Sequence, residues 1–185
     1  MKKYLLLLLL LPINAQDVRF IDEVFDEVSV TENIVYGNAP DLPFIFLFEW
    51  NTNDIDLHMD VYQPVGDTME NRPVIIFAHS GSFFTGSKDA QDMVALCEAA
   101  AKRGYVAISM EYRLGLNILS SYSGERAVYR GVQDGSAIIR YLREYHDIFN
   151  IDDEKIFFWG SSAGSFIGLH LSYIEEGERP ESTYG

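Results

Sequence analysis

Three short runs constrain this chain more than any other feature: Val74-Ile75-Ile76-Phe77-Ala78, Tyr105-Val106-Ala107-Ile108-Ser109-Met110 and Ile156-Phe157-Phe158-Trp159. Each is β-rich and apolar almost without a break, so each predicts a strand that must be covered on both faces. Helical patterning separates them, over residues 90–102, 125–145 and 163–173. In the second of these, Val128, Val132, Ile139 and Leu142 fall on one stripe at spacings near 3.6. Strand and helix alternating in this way predict an α/β fold, a mostly parallel sheet with helices on both faces. Upstream, residues 55–61 alternate. Ile55, Leu57, Met59 and Val61 point one way, and Asp56, His58 and Asp60 point to water. The acidic stretch 16–49 holds Pro40, Pro43 and the run Phe44-Ile45-Phe46-Leu47-Phe48. It reads as an extended N-terminal segment with one or two edge strands.

The first fifteen residues are set apart from this pattern. Lys2 and Lys3 precede an unbroken apolar run from Leu5 to Leu11, closed by Pro12, and Asn14-Ala15-Gln16 places a small residue before a polar one. This is the pattern of a secretory signal peptide cleaved after Ala15. The run is far shorter than the ~20 residues that cross a bilayer. The expectation is a secreted or periplasmic protein with no membrane contact after cleavage, and one domain over residues 16–185. A chain of 185 residues, 48% hydrophobic and 14% aromatic, can build one real core and is not a disordered segment. Its formal charge of −14 leaves no basic face for nucleic acid. A single cysteine, Cys97, excludes an internal disulfide and a cysteine-built zinc site. Asn51-Thr52-Asn53-Asp54-Ile55-Asp56 lacks the central glycine and the later glutamate of a calcium loop. No metal and no cofactor is expected.

Two motifs carry chemistry. Gly160-Ser161-Ser162-Ala163-Gly164 follows the last strand run and opens the last helix. A G-x-S-x-G run is weak by itself, but a strand-to-helix turn gives it a mechanism. The serine sits on a strained bend with its hydroxyl above the sheet, and the helix N-terminus faces developing negative charge. Ser162 is the candidate nucleophile. The second motif, His79-Ser80-Gly81-Ser82-Phe83-Phe84, follows the first strand run. Small residues there let backbone N–H groups converge where a carbonyl oxygen becomes an oxyanion.

These residues resemble a known family. His79-Ser80-Gly81-Ser82-Phe83 is similar to the His-Gly-Gly-Gly-Phe/Trp loop of α/β-hydrolase esterases, the carboxylesterase and hormone-sensitive-lipase-like group. Gly160 to Gly164 resembles their nucleophile elbow. Asp60-Val61-Tyr62-Gln63-Pro64, Gly104-Tyr105-Val106, Glu111-Tyr112-Arg113-Leu114 and Gln133-Asp134-Gly135-Ser136-Ala137 support it in the family's order. The resemblance implies the N-terminal part of an α/β-hydrolase fold, with Ser162 as nucleophile. Gly81, Ser82 and Ala163 would be the oxyanion-hole donors. It implies that His79 is structural, and that Arg113 and Asp134 form a buried ion pair. Ser80 and Ser82 depart from the usual glycines but keep their N–H groups.

The general base is missing. The family order is Ser, then Asp or Glu, then His. After Ser162 the chain holds one histidine, His170, and eight residues at 1.5 Å each put it about 12 Å along the helix. His58, His79 and His146 are not favourably placed either. The base, its acid and the strands that carry them are expected beyond Gly185, so that the sheet would be truncated after the helix that follows the elbow. The reading is an exported serine hydrolase acting on small-molecule or carbohydrate-linked esters through an acyl-enzyme. The alternatives are a non-catalytic binding protein of the same fold, which the missing base fits, and a peptidase on that fold.

Overall fold

A computed structural model describes residues 18–42, 52–175 and 181. The predicted leader, residues 1–15, and the aromatic run 44–48 lie outside the described residues. The elements run in the order β1 (Val28–Asp41), β2 (Asn53–Pro64), β3 (Arg72–Ala78), α1 (Gln91–Lys102), β4 (Val106–Met110), α2 (Ser123–Glu144), α3 (His146–Phe149), β5 (Ile151–Gly160) and α4 (Ala163–Tyr173). They form one five-stranded sheet in the spatial order β1-β2-β4-β3-β5. The three apolar runs are its parallel part, with β3 paired to β4 and to β5. The two upstream strands join antiparallel, β2 against β4 and β1 against β2. The sheet is therefore mixed, and its parallel character is confined to β4, β3 and β5.

Helices cover both faces. On one face α1 buries Met93, Cys97, Ala100 and Ala101 against Tyr62, Phe77 and Ala107. On the other, Ile138 and Leu142 of α2 and Ile167 of α4 pack on Val74, Ile76, Val106 and Ile108. β3 is central because its alternate side chains feed both cores, Phe77 one and Ile76 the other. Within α2 the fully buried line runs through Ala127, Gly131, Gly135, Ile138 and Leu142. Val128 and Ile139 of the predicted stripe are only partly buried at its margin. The helix is rotated from the expected stripe because α4 approaches so closely that small residues occupy the contact.

Two sequence expectations change. β2 is solvated at its start, but Asp60 and Tyr62 are buried near its end, where α1 and the loop after β3 cover that face. β5 was expected to be buried on both faces, yet it is an edge strand with Phe157 54% and Trp159 39% exposed. No strand among the described residues pairs with its outer edge.

The segment before β1 is strapped to the body of the domain. The guanidinium of Arg19 donates to both oxygens of Asp67, at 2.9 and 2.5 Å, and to the carbonyl of Gly104. Burial pushes the Asp67 carboxyl up, but the bonds from Arg19 and the Met69 N–H outweigh it and hold the group below the usual carboxylate range. A carboxyl depressed in the folded state stabilises above its unfolded pKa of about 4, and that stability is lost as pH falls through the folded value. Asp67→Asn is expected to cost about 1–3 kcal/mol at pH 7. In urea melts the gap to wild type should narrow as pH falls below about 4.

Candidate active site

The site is built where β3 and β5 end side by side. Ala78 and Gly160 are register partners, so the chain leaves both strands at the same level. Above Ala78 it enters the loop 79–86, and above Gly160 it turns sharply into α4. Ser162 caps that turn with φ 50° and ψ −109°, a backbone conformation that costs an L-residue about 1–3 kcal/mol. Two close approaches hold it there. A Cβ on Gly160 would overlap the carbonyl of Gly164, and a Cβ on Gly164 would overlap the carbonyl of Ala78. Only hydrogen fits at either position. The turn is closed by Gly164 N–H to the Ser161 carbonyl at 3.0 Å, Ser165 N–H to the Ser162 carbonyl at 3.0 Å, and the Ser165 hydroxyl to the Gly160 carbonyl at 3.0 Å. Ser162 itself is exposed at the top of the sheet.

The neighbouring loop is equally fixed. Gly81, Ser82 and Phe83 all take positive φ, at 126°, 55° and 56°. The Gly81 carbonyl accepts from the N–H groups of Phe84 and Thr85. The Phe83 carbonyl accepts from Gly115 and Leu116, and its buried ring meets the edge of Tyr112 with ring centroids 5.7 Å apart. One consequence is chemical. The N–H groups of Gly81, Ser82 and Ala163 donate to no acceptor among the described residues. Two sit in the loop and one at the first helical position beside Ser162, and a group accepting from them would gain bonds that the fold leaves open.

A family model described as BD-FAE matches residues 59–184. The chain belongs to the BD-FAE family. The chain is also similar to Carboxylesterase 3B of Mus musculus, 34% identical over 125 residues that make up 65% of this chain and 21% of that protein. It is similar to a secreted lipase of Arthroderma benhamiae, 32% identical over 132 residues, 64% of this chain and 25% of that one. Among solved structures, esterase 2 of Thermogutta terrifontis phosphorylated by paraoxon superposes with a TM-score of 0.61 at 26% identity. That match covers 83% of this chain and 50% of the esterase. The fold is therefore that of an α/β-hydrolase. The chain spans about half of such a solved esterase and a fifth to a quarter of the curated relatives.

The four histidines lie in this BD-FAE chain much as the sequence suggested. His170 is exposed on α4, with Nδ1 2.7 Å from the Phe166 carbonyl one turn back. His146 opens α3 just past the end of α2, with Nδ1 2.9 Å from the Arg143 carbonyl. His79 is buried under the loop it begins. His58 lies on β2. None makes a hydrogen bond to Ser162. Arg113 and Asp134 form the expected buried pair, Nη2 to Oδ1 at 2.7 Å, with the Arg113 backbone N–H on Oδ2 at 2.8 Å. Arg113 also donates to the Pro40 and Arg130 carbonyls, so it ties β1 and α2 to the chain just after β4. Burial pushes the Asp134 carboxyl upward, and the bonds from Arg113 work against that push.

Sequence reasoning missed a second buried cation. Lys88 Nζ lies 2.8 Å from Asp60 and 2.7 Å from Asp89. Burial pulls the Lys88 ammonium down, but the two carboxylates outweigh it and raise it above its usual value. Period-two alternation put Asp60 on the wet face of β2, and no local signal shows that a loop from β3 will cover it.

Substitutions at two positions test this geometry. Ser162→Gly is expected to be more stable than Ser162→Ala by about 1 kcal/mol, because only glycine takes the turn without strain. Thermal melts of the two variants compare them directly. Arg113→Ala should cost about 3–5 kcal/mol, since it leaves the Asp134 carboxylate buried without its partner. Chemical denaturation of that variant against wild type measures it.

Proposed function

We propose that this chain carries the nucleophile and the oxyanion-binding groups of an exported serine hydrolase of carboxylic esters. The single observation that supports it best is a strained, exposed Ser162 next to three N–H groups that meet no acceptor among the described residues. In this reading the Ser162 hydroxyl attacks the ester carbonyl. The carbonyl oxygen takes negative charge and is held by the N–H groups of Gly81, Ser82 and Ala163. The C–O bond to the alcohol then breaks, the alcohol leaves with a proton, and the acyl group remains on Ser162. Water adds to that acyl-enzyme and the acid is released. The hydroxyl must lose its proton to a base as it attacks. No histidine within residues 1–185 bonds to Ser162, so the base and its orienting acid would come from chain beyond Gly185. Small-molecule and carbohydrate-linked esters are the proposed substrates, and the similarity to a secreted lipase is compatible with export.

The test is a fluorophosphonate probe applied to the protein as its source exports it, with the intact mass taken on the same sample. The expected outcome is one label on Ser162, loss of label and of ester hydrolysis in Ser162→Ala, and a mass that starts at Gln16. A folded protein that takes no label would sink the hydrolase reading and favour a binding protein on the same scaffold.

A further inference from the structure

His79 is 2% exposed, and its two ring nitrogens have different surroundings. Nδ1 lies 2.7 Å from the carbonyl of Ser80, so the hydrogen is on Nδ1 and the ring donates to its own loop. One face of the ring stacks on Tyr112, with centroids 4.2 Å apart and planes 16° from parallel. The Tyr112 hydroxyl donates to the His79 carbonyl at 2.8 Å. The chain then returns across the ring at Gly86, where φ is +111° and a Cβ would overlap both Nδ1 and the Ser80 carbonyl. The loop 79–86 is thus hung on the imidazole as on a peg. Nε2, at the far side of the peg, is buried and makes no hydrogen bond among the described residues. The group that faces it is Glu111, with Oε1 at 3.3 Å.

Glu111 reaches both ends of the loop. Its Oε1 faces the ring at the start, and its Oε2 accepts the Lys88 N–H, just past the end, at 3.1 Å. Its own backbone is fixed. Its N–H donates to the His58 carbonyl at 2.9 Å, and its carbonyl accepts from the Tyr36 hydroxyl. The Lys88 ammonium is committed to Asp60 and Asp89. Among the described residues Glu111 forms no ion pair with a lysine or arginine side chain, and its Oε1 keeps the 3.3 Å contact with the His79 ring.

We propose that Glu111 is a positioning residue for the oxyanion loop: its carboxylate braces the His79 peg and the Lys88 amide, and so fixes where the N–H groups of Gly81 and Ser82 point. The inference rests on the ester-hydrolase reading of Ser162. Removing the brace frees the ring to turn, and with it the loop that the ring supports. That loosens donors needed in the transition state more than in the bound ground state.

The experiment compares wild type with Glu111→Ala, Glu111→Asp and Glu111→Gln in the full natural chain. Asp withdraws the carboxylate by one methylene and leaves little space behind. Gln keeps the reach to both loop ends. Amide hydrogen exchange reads the loop directly. In the Ala and Asp variants the Phe84 and Thr85 amides, which are bonded to the Gly81 carbonyl, should exchange about tenfold faster. Those of Ile76 and Ile108 should not change, and Gln should restore the loop. With fluorophosphonate, the first-order labelling rate of the Ala and Asp variants should fall about tenfold at unchanged reversible affinity for the probe. Loop and strand amides accelerating together, or a loop unchanged in both variants, would overturn the proposal. A wild-type protein that takes no label defeats the hydrolase reading alone, and the exchange comparison still decides the brace.

Discussion

The whole site depends on how closely α4 approaches the end of β3. Gly164, in the first turn of that helix, lies against the carbonyl of Ala78 with no room for a side chain. The contact sets the height of the serine turn above the sheet. Through the register of Ala78 with Gly160, it also sets its height relative to the loop that leaves β3. The strain at Ser162 is sustained because everything around it is over-determined: a parallel sheet below, a glycine on each side, and three hydrogen bonds closing the turn. A site whose parts must stay within fractions of an ångström is well served by short connections from adjacent parallel strands.

Around this contact the buried charges act as ties between elements distant in sequence. Arg113 joins the exit of β4 to α2 and to the end of β1. Lys88 joins the loop after β3 to β2 through Asp60, while Ser109 of β4 donates to the Lys88 carbonyl at 2.7 Å. Arg19 joins the N-terminal segment to Asp67 before β3. Each pair replaces lost hydration with several hydrogen bonds, the condition under which a buried ion pair is tolerated. Their common effect is positional: the loops above the parallel strands are held from the side by charge and from beneath by the sheet.

Much of this was legible locally. The apolar runs that became β3, β4 and β5, and the helices α1, α2 and α4, all lie within a few residues of their expected limits. A core strand and an amphipathic helix announce themselves through their own periodicity. The turn at Ser162 and the loop 79–86 were legible because small residues placed directly after an apolar strand run are an unusual local arrangement. The rotation of α2 was not legible. Its buried line runs through Gly131 and Gly135, whose near neighbours are Ile167 and Leu171 of α4, and a hydrophobicity pattern gives little weight to glycine. Nor was Asp60, whose surroundings come from residues 88 and 89.

The sequence by itself determined the class of fold, the order of its elements and the strand-to-helix turn at Ser162, which follow from short-range pattern; the buried Arg113–Asp134 pair was implied by the family resemblance. Tertiary structure decided the mixed strand order, the exposed edge at β5, and the burial of Lys88 with Asp60 and Asp89. It also decided the seat of His79 between Tyr112, Gly86 and Glu111. Each of those depends on which surfaces meet across the sheet, and a side chain's solvent, charge partner and freedom to turn are set by neighbours that arrive only when the chain closes on itself.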